Sequence, residues 1–288
     1  MKTKLLLVYF IFAFLYGCAE KPGPANNSDL SQVNRIISAA PSVTEIIVGL
    51  GLADKLVAVD KYSGNIAGVR KGLPEIDFFN PDMEAIASLK PDIIISGEIN
   101  TNGNSGTPFA FFRQLGITVI QIQTSNSIED IYSDIATIAD ALGIGEKGQK
   151  MAADMRKQIE AIAASAKSGG QGSPSVYFEI APAPNIVSFG SGTYLNELIE
   201  ITGARNIFAG EKRWFTPSAE AIIGANPGII FILDGASDIE EIKNRPGFKS
   251  IAAVAQNRIF VINADYASRP SQNIVLALKE MYRAVYPQ

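Results

Sequence analysis

The sequence of 288 residues contains no histidine. Histidine is the commonest general base of enzymes and the commonest ligand of transition metals in proteins. Without it, only carboxylates, carbonyls and hydroxyls remain to hold a metal ion, and the sequence argues against capture of zinc or manganese. We therefore expect neither a metal site nor a cofactor of the protein's own.

Cysteine is nearly absent as well, because Cys18 is the only one in the chain. A single cysteine cannot form an internal disulfide, so the stability of the fold has to come from packing. An enzyme with neither histidine nor a free cysteine would depend on a carboxylate or lysine mechanism. The aspartates and glutamates form no paired motif that would support one, so we expect a protein that is not an enzyme.

An excess of one charge is also missing. The 25 basic and 29 acidic residues give a net charge of −4, and no block of like charge interrupts their mixture. This pattern indicates neither a nucleic-acid footprint nor a polybasic membrane patch. With 47% hydrophobic residues, the chain can fill a sizeable core, and its length suits two lobes.

The N-terminus is typical of an export signal. Lys2 and Lys4 precede an apolar run over 5–16, and small residues follow up to Cys18. The run is shorter than the roughly 20 apolar residues of a membrane helix, and no later segment is comparable, so we expect no transmembrane helix in the mature protein. The letters LYGC at 15–18 resemble a bacterial lipobox. The resemblance implies a signal peptide over 1–17, a lipid anchor and tether over 18–33, and a place in the periplasm or cell envelope, attached to the membrane through Cys18.

From residue 35 onward, short apolar and β-branched runs alternate with amphipathic stretches. This alternation is typical of an α/β fold with mainly parallel sheets. The predicted strands lie at 35–38, 57–59, 93–96, 119–122, 176–180, 229–233 and 259–262.

One unit of the sequence occurs twice. MEAIASLKPDIII at 83–95 and AEAIIGANPGIIF at 219–231 each place a glutamate near a helix start, a proline further on and then a buried strand. Proline marks the end of each helix because it lacks an amide donor. A second correspondence, between 38–45 and 188–194, is expected to place a strand, a loop and a helix start alike in both lobes. Two related lobes follow from these repeats.

A long helix is predicted between the lobes. The stretch 149–167 has neither glycine nor proline, and Met151, Met155, Ile159 and Ile162 recur at helical spacing. We therefore assign an N-terminal lobe to 34–143, an inter-lobe backbone helix to 144–172 and a C-terminal lobe to 173–288. Two Rossmann-like lobes joined by one helix leave a cleft between them, where ligands usually bind.

Three motifs resemble the helical-backbone class, or class III, of periplasmic binding proteins, which serve ABC importers of cobalamin, ferric siderophores and haem. They are RIISAAPSVTE at 35–45, LKPD at 89–92 and NIF at 206–208. The resemblance runs from residue 35 to the end of the chain and implies a monomer that delivers a macrocyclic small molecule to an importer permease. The chain is most similar to the cobalamin-binding member, so the expected ligand is cobalamin (vitamin B12) or a related corrinoid.

The resemblance places the pocket aromatics at Tyr62, Phe78 and Trp214, and polar contacts of the last loop at Asp265 and Arg269. Aromatic faces with a few polar groups at the rim suit a large, flat and mostly apolar ligand. Structural alternatives stay open for three of them. Trp214 would suit ordinary core packing, Phe78 a hydrophobic staple for the next helix, and Arg269 the start of the last helix.

Glu84 and Glu220 occupy equivalent places in the repeated unit. In the class that the chain resembles, such glutamates, one on each lobe, meet arginines of the membrane permease. We therefore expect them to fix the orientation of docking. The alternative explanation is that a glutamate in a first helical turn merely interacts well with the helix dipole.

The sequence departs from the class at one pocket position. Where the class has another aromatic after the strand at 93–96, this chain has Gly97 and a polar loop over 98–107. A ferric-siderophore or haem binder of the same class therefore stays open as the nearest alternative. The absence of histidine argues against haem, although Tyr62 or Tyr266 could ligate iron. A purely structural or adhesive lipoprotein would have no use for a cleft.

Overall fold

The computed structural model describes residues 33–101, 104–168 and 172–287. The predicted signal peptide, Cys18 and the tether up to residue 32 lie outside the described residues. Within the described part, no helix combines the length and the apolar character that a membrane crossing requires.

The first lobe is built on a parallel sheet whose strands read as continuous apolar runs in the sequence. Its elements are β1 (Ile36–Ala39), α1 (Pro41–Gly49), β2 (Leu56–Asp60), β3 (Glu75–Ile76), α2 (Met83–Ser88), β4 (Ile93–Gly97), β5 (Ile99–Thr101), β6 (Asn104–Gly106), the 3₁₀ helix Pro108–Leu115, β7 (Thr118–Ile122) and α3 (Ile128–Ala141). Five strands form the sheet in the order β3-β2-β1-β4-β7. Helices and loops cover both faces, which explains why β1 and the first four residues of β4 are buried without a break instead of alternating between core and solvent.

The second lobe repeats this plan with a smaller parallel sheet. After α4 (Gly145–Ser168) come β8 (Ser175–Glu179), β9 (Ser188–Phe189), α5 (Tyr194–Ile201), β10 (Arg205–Asn206), β11 (Trp214–Phe215), α6 (Ala219–Ala225), β12 (Ile229–Leu233), α7 (Ile239–Asn244), α8 (Ala252–Ala255), β13 (Ile259–Ile262), α9 (Ala264–Ser268) and α10 (Ile274–Val285). The sheet order is β10-β8-β12-β13, and β9 pairs with β11 in a separate antiparallel ribbon. The predicted α/β fold with two parallel sheets is confirmed.

The repeated unit keeps its backbone geometry in both lobes. Lys90 and Asn226, which stand just before the two prolines, both adopt a left-handed φ of 45°. The strands that follow, β4 and β12, each pair in parallel with the first strand of their lobe. The second correspondence is wrong in its strand: 38–45 begins on β1, whose counterpart is β8, whereas 188–194 begins on the antiparallel ribbon. Both segments nevertheless lead into a helix.

The long helix α4 joins the lobes as predicted, and its bounds enclose the predicted stretch 149–167. It packs on α3 of the first lobe and on α5 and α10 of the second. The side chains at these contacts belong to one continuous apolar cluster, which includes Ile46, Ile135, Met155, Leu198 and Leu278. The lobes therefore share a core along the linking helix and are not held by a flexible tether.

Asp134 is a half-buried carboxylate on α3 that we expect to make stability depend on pH. Loss of hydration and the nearby Asp130 charge raise its pKa to about 6, against the opposing hydrogen bond from Ser125. Because the folded pKa lies above the unfolded value, the carboxyl contributes stability at about pH 4 and below, and that contribution is lost as the pH rises through 6.

Asp134→Asn removes this titration while keeping an acceptor for the Ser125 hydroxyl, whose oxygen lies 2.6 Å from Asp134 Oδ2. We expect the free energy of unfolding of the variant at about pH 7.5 to exceed that of the natural chain by about 1 kcal/mol, a value discounted for partial solvent exposure. Urea denaturation at pH 4 and 7.5 measures the difference. A gain of the same size at both pH values would contradict the assignment.

Candidate functional site

The predicted ligand-binding residues all follow the carboxyl ends of parallel strands. Tyr62 comes after β2 and Phe78 after β3, while Asp265 and Arg269 come after β13. Trp214 comes after β10, on strand β11 of the ribbon β9–β11. In α/β sheets, ligands bind in the crevice outside these ends, because the loops there are free to carry polar and aromatic side chains.

The two carboxyl edges meet at one point. Arg269 of the second lobe donates a hydrogen bond from Nη2 to the carbonyl oxygen of Tyr62 in the first lobe, at 3.3 Å. Since this contact joins the loop after β13 to the loop after β2, the carboxyl edges of the two sheets face each other. The structure therefore brings Tyr62, Asp265 and Arg269 together at the inter-lobe junction.

The first lobe carries an aromatic pocket of about 260 Å³ at this edge. Tyr62, Phe78 and Phe79 line it together with Asp60 and Glu98. Tyr62 is 63% exposed and Phe79 is 75% exposed. Large aromatic side chains are unusual at such exposure unless a partner covers them, so this wall is suited to an apolar face of a ligand.

Phe78 and Phe79 divide two roles between them. Phe78 is half-buried and packs on the core residue Phe109, with ring centroids 6.0 Å apart. Phe79 meets Phe78 edge to face at 5.4 Å and turns outward. The resemblance of the motifs pointed to Phe78 alone and not to Phe79. Two adjacent phenylalanines before a helix were the only signal, and they do not reveal which ring points outward.

A buried carboxylate holds the loop that carries Tyr62. Asp60 ends β2, is 2% exposed, and accepts hydrogen bonds from the Tyr62 amide at 2.9 Å and from the Ser63 hydroxyl. Burial raises the pKa of Asp60, although the Ser63 hydrogen bond opposes the change. Lys61 lies 5.3 Å from the Tyr62 ring centroid and pairs with Asp77 at the surface. The turn therefore presents the tyrosine ring on a rigid base.

Trp214 is presented by the second lobe in a similar way. Its ring is 47% exposed and meets the buried Phe189 edge to face, with centroids 5.7 Å apart. The chain beside it packs closely: a Cβ on Gly190 would lie 2.1 Å from the carbonyl oxygen of Glu211. Only glycine fits there, and the amide of Gly190 bonds the carbonyl of Arg213 at 2.9 Å. The ribbon thus fixes the indole without burying it.

Arg269 has protein partners on both lobes. Its Nη2 lies 2.8 Å from Asp265 Oδ1, and its Nη1 lies 3.1 Å from Glu45 Oε1 on α1. The side chain is only 16% exposed, and it stands at the end of α9 instead of the start of α10. Asp265 and Arg269 were expected in the same loop, but Glu45 was not expected at the site, because its helical spacing gave no hint of a charge partner.

The two glutamates of the repeat are exposed in the first turns of short helices. Glu84 follows the cap of α2, where Asp82 accepts the amides of residues 84 and 85. Glu220 follows the cap of α6, where Ser218 accepts the amide of Ala221. Hydrogen bonds from its own amide and from Ser218 lower the pKa of Glu220. Because each helix runs back along its sheet, both carboxylates lie at the carboxyl edges of the sheets.

The polar loop after β4 forms the hairpin β5–β6. Of its residues, Glu98 lines the aromatic pocket. Among the described residues, no group of three or more aspartates, glutamates, cysteines or histidines could hold a metal ion.

The fold and the site together define a class of protein. Residues 36–266 match the periplasmic binding protein family, and the chain belongs to that family. The class predicted from the three motifs is therefore confirmed. It is a substrate-binding protein of this family, and the relatives described below are named as binding proteins.

Two curated relatives within this family are similar to almost the whole chain. The Vitamin B12-binding protein of Vibrio cholerae is 30% identical over 266 residues, which cover 91% of this chain and 89% of that protein. The uncharacterized ABC transporter substrate-binding lipoprotein YvrC of Bacillus subtilis is 29% identical over 270 residues, 91% of this chain and 84% of that protein.

Solved structures agree with the described fold. The periplasmic vitamin B12 binding protein BtuF of Vibrio cholerae superimposes with a TM-score of 0.69 at 26% identity, over 88% of this chain and 96% of that one. The periplasmic haem-binding protein RhuT of Roseiflexus sp. RS-1 has a TM-score of 0.74 at 26% identity, over 88% and 99%. The chain thus belongs to a group whose members carry different large ligands.

Proposed function

We propose that the protein captures cobalamin or a related corrinoid in the cleft between its lobes and delivers it to an ABC importer permease. The observation that carries the proposal is the pair of exposed aromatic surfaces on the two lobes. Tyr62 and Phe79 form one on the first lobe, and Trp214 forms the other on the second. A large ring that enters the cleft would cover both surfaces and gain about 1 kcal/mol from each good stacking contact beyond the area buried.

The charges at the junction favour a ligand without a strong negative charge. Arg269 is already engaged by Glu45 and Asp265, and the buried Asp60 lies close by. The positive charge of the guanidinium is therefore already compensated by carboxylates and does not favour binding of an anionic iron chelate. An amide-rich macrocycle such as a corrinoid needs hydrogen-bonding groups at its rim, which Asp265 and Glu98 supply.

Delivery would use the exposed carboxylates of the repeat. Glu84 and Glu220 lie at the carboxyl edges of the two sheets, which is where the cleft opens. Two carboxylates on separate lobes can meet two basic groups of a permease and fix the orientation of docking above the ligand. A lipid anchor on Cys18 would keep the protein at the membrane that holds the permease.

Isothermal titration of the purified protein tests the ligand class. We expect tight one-to-one binding of cyanocobalamin and much weaker binding of haemin and of a ferric siderophore, which serve as comparators. Binding of either iron ligand without binding of cyanocobalamin would refute the corrinoid assignment.

A haem or ferric-siderophore carrier is the second candidate, because RhuT is similar in fold. A tyrosine would then have to ligate iron, since the chain has no histidine. Of the two candidate tyrosines, Tyr62 is exposed at the aromatic pocket, whereas Tyr266 is half-buried. A haem absorption band that Tyr62→Phe abolishes would support this candidate over the first.

A further inference from the structure

The segment 269–273, which connects α9 to α10 in the second lobe, attaches to a single glutamate of the first lobe. Glu45 on α1 receives Arg269 Nη1 at 3.1 Å on one carboxylate oxygen. The other oxygen accepts the Ser271 hydroxyl and Asn273 Nδ2, the latter at 2.9 Å. Gln272 Nε2 bonds the backbone oxygen of Glu45 at 2.9 Å. We call this set of contacts the inter-lobe clasp.

The clasp is a buried carboxylate with a complete set of donors. Glu45 is 4% exposed and Ser271 is fully buried. A buried carboxylate is tolerated only when charge and hydrogen bonds replace its water. Of its three side-chain partners, only Arg269 carries a positive charge, so the position of Arg269 is tied to the position of the carboxylate.

The backbone is shaped for this close approach. A Cβ on Gly49, at the end of α1, would lie 2.8 Å from Gln272 Nε2 and 2.9 Å from Met151 Cε. Glycine at this position leaves room beside α1 for the ends of the Gln272 and Met151 side chains. A larger side chain would displace the Gln272 amide that bonds the backbone oxygen of Glu45.

The chain just before the segment 269–273 is fixed in the core of the second lobe. Tyr194 on α5 donates its hydroxyl to the carbonyl of Ala267 at 2.7 Å, inside the core. The amide of Asn263, before α9, bonds Glu280 on α10 at 2.8 Å. A rigid path therefore leads from the core of the second lobe through Arg269 to Glu45 in the first.

The path continues to the pocket wall. Arg269 Nη2 donates a hydrogen bond to the carbonyl oxygen of Tyr62 at 3.3 Å. The amide of Tyr62 in turn donates to the carboxylate of Asp60. We propose that Glu45 is a positioning residue of the cleft, which holds Arg269 and, through Arg269, the loop that presents Tyr62. The inference rests on the proposed function, because the cleft has to be the place where the ligand binds.

The second lobe supplies a matched control. Glu179 and Arg245 form another buried ion pair, with side chains 0% and 8% exposed. The other partners of Glu179, Tyr177 and Ser237, belong to the second lobe as well. Neutralising Glu179 therefore removes a buried ion pair of similar kind without touching the junction between the lobes.

The experiment compares Glu45→Gln with Glu179→Gln in the full chain. In the ligand-free protein, amide hydrogen exchange over 61–66 reports on the loop of Tyr62. With cyanocobalamin as the probe, quenching of Trp214, the only tryptophan of the chain, reports affinity. We expect Glu45→Gln to speed exchange over 61–66 at least fivefold and to weaken binding about tenfold. Glu179→Gln should lower the melting temperature and leave both readouts within twofold.

A double-mutant cycle tests whether Glu45 acts through Arg269. The effect of Glu45→Gln on affinity should fall below twofold in the Arg269→Met background. An unchanged tenfold effect there would overturn the proposed path. If Glu45→Gln does not fold, Asn273→Ala, which removes one donor to the carboxylate, takes its place with the same expected direction.

Two further outcomes are decisive. If Glu45→Gln destabilises the protein like Glu179→Gln but leaves exchange over 61–66 unchanged, Glu45 is only a structural residue and the proposal fails. If the natural chain does not bind cyanocobalamin, the corrinoid assignment fails, and the exchange comparison alone then decides whether the clasp positions the loop.

Discussion

Replacing Trp214 with alanine should weaken ligand binding more than tenfold, which corresponds to more than about 1.4 kcal/mol. The indole is 47% exposed on the second lobe, so its removal leaves little of the folded core uncovered. A bound ring would lose both the buried area and the stacking contact of the largest side chain at the site. Titration with cyanocobalamin measures the affinity, and thermal unfolding checks that the fold survives.

Phe111→Ala provides the control for this substitution. Phe111 is 51% exposed, close to the exposure of Trp214, but it lies on the 3₁₀ helix Pro108–Leu115 of the first lobe, where it packs on Phe112 and is not part of the ribbon that carries Trp214. Its removal should leave affinity within twofold. Equal affinities of the Trp214→Ala variant and the natural chain would remove Trp214 from the site.

Replacing Glu84 and Glu220 together with alanine should abolish transport and leave ligand binding unchanged. Both carboxylates are exposed at the carboxyl edges, and neither contributes to the aromatic pocket. Loss of both would remove the charges that orient the protein on its permease, while the cleft keeps all its contacts. Uptake of labelled ligand by cells or proteoliposomes with the cognate permease, together with titration, separates the two effects.

Glu146 and Glu240 allow the helix-dipole explanation to be tested. Each is a glutamate in the first turn of a helix, on α4 and α7, but neither belongs to the repeated unit. Replacing both with alanine removes the same favourable dipole interaction, which is well under 1 kcal/mol per residue, together with the surface ion pair of Glu240 with Lys243. Normal transport by this variant and by the Glu84/Glu220 variant alike would show that the repeated glutamates do not dock the protein.

Most of the fold could be predicted because its signals are local. A buried parallel strand reads as a continuous apolar run whatever its neighbours are, and β12 coincides with the predicted 229–233. The ribbon β9–β11 could not be predicted, since each strand has two residues and its pairing depends on the loops around it. The same limit produced the wrong match between 38–45 and 188–194.

The residues of the site likewise separate into those that the sequence could predict and those that it could not. Aromatic residues such as Tyr62 and Trp214 could be named from their positions after strands and from the resemblance of the motifs, and the structure places them exposed at the carboxyl edges. Phe79 could not be separated from Phe78, because the outward ring is chosen by how Phe78 packs on Phe109. Whether these side chains contact the ligand stays a prediction until binding is measured.

Apolar periodicity and the proline-terminated repeat determined by themselves that this chain forms two α/β lobes joined by a helix. Only the tertiary structure decided that Glu45 becomes a buried partner of Arg269, a residue 224 positions further along the chain. The physical reason is the distance along the chain over which each interaction acts. Backbone propensities and apolar runs act within a few residues, whereas the burial of a charge and the choice of its counter-charge depend on which distant segments the packed core brings together.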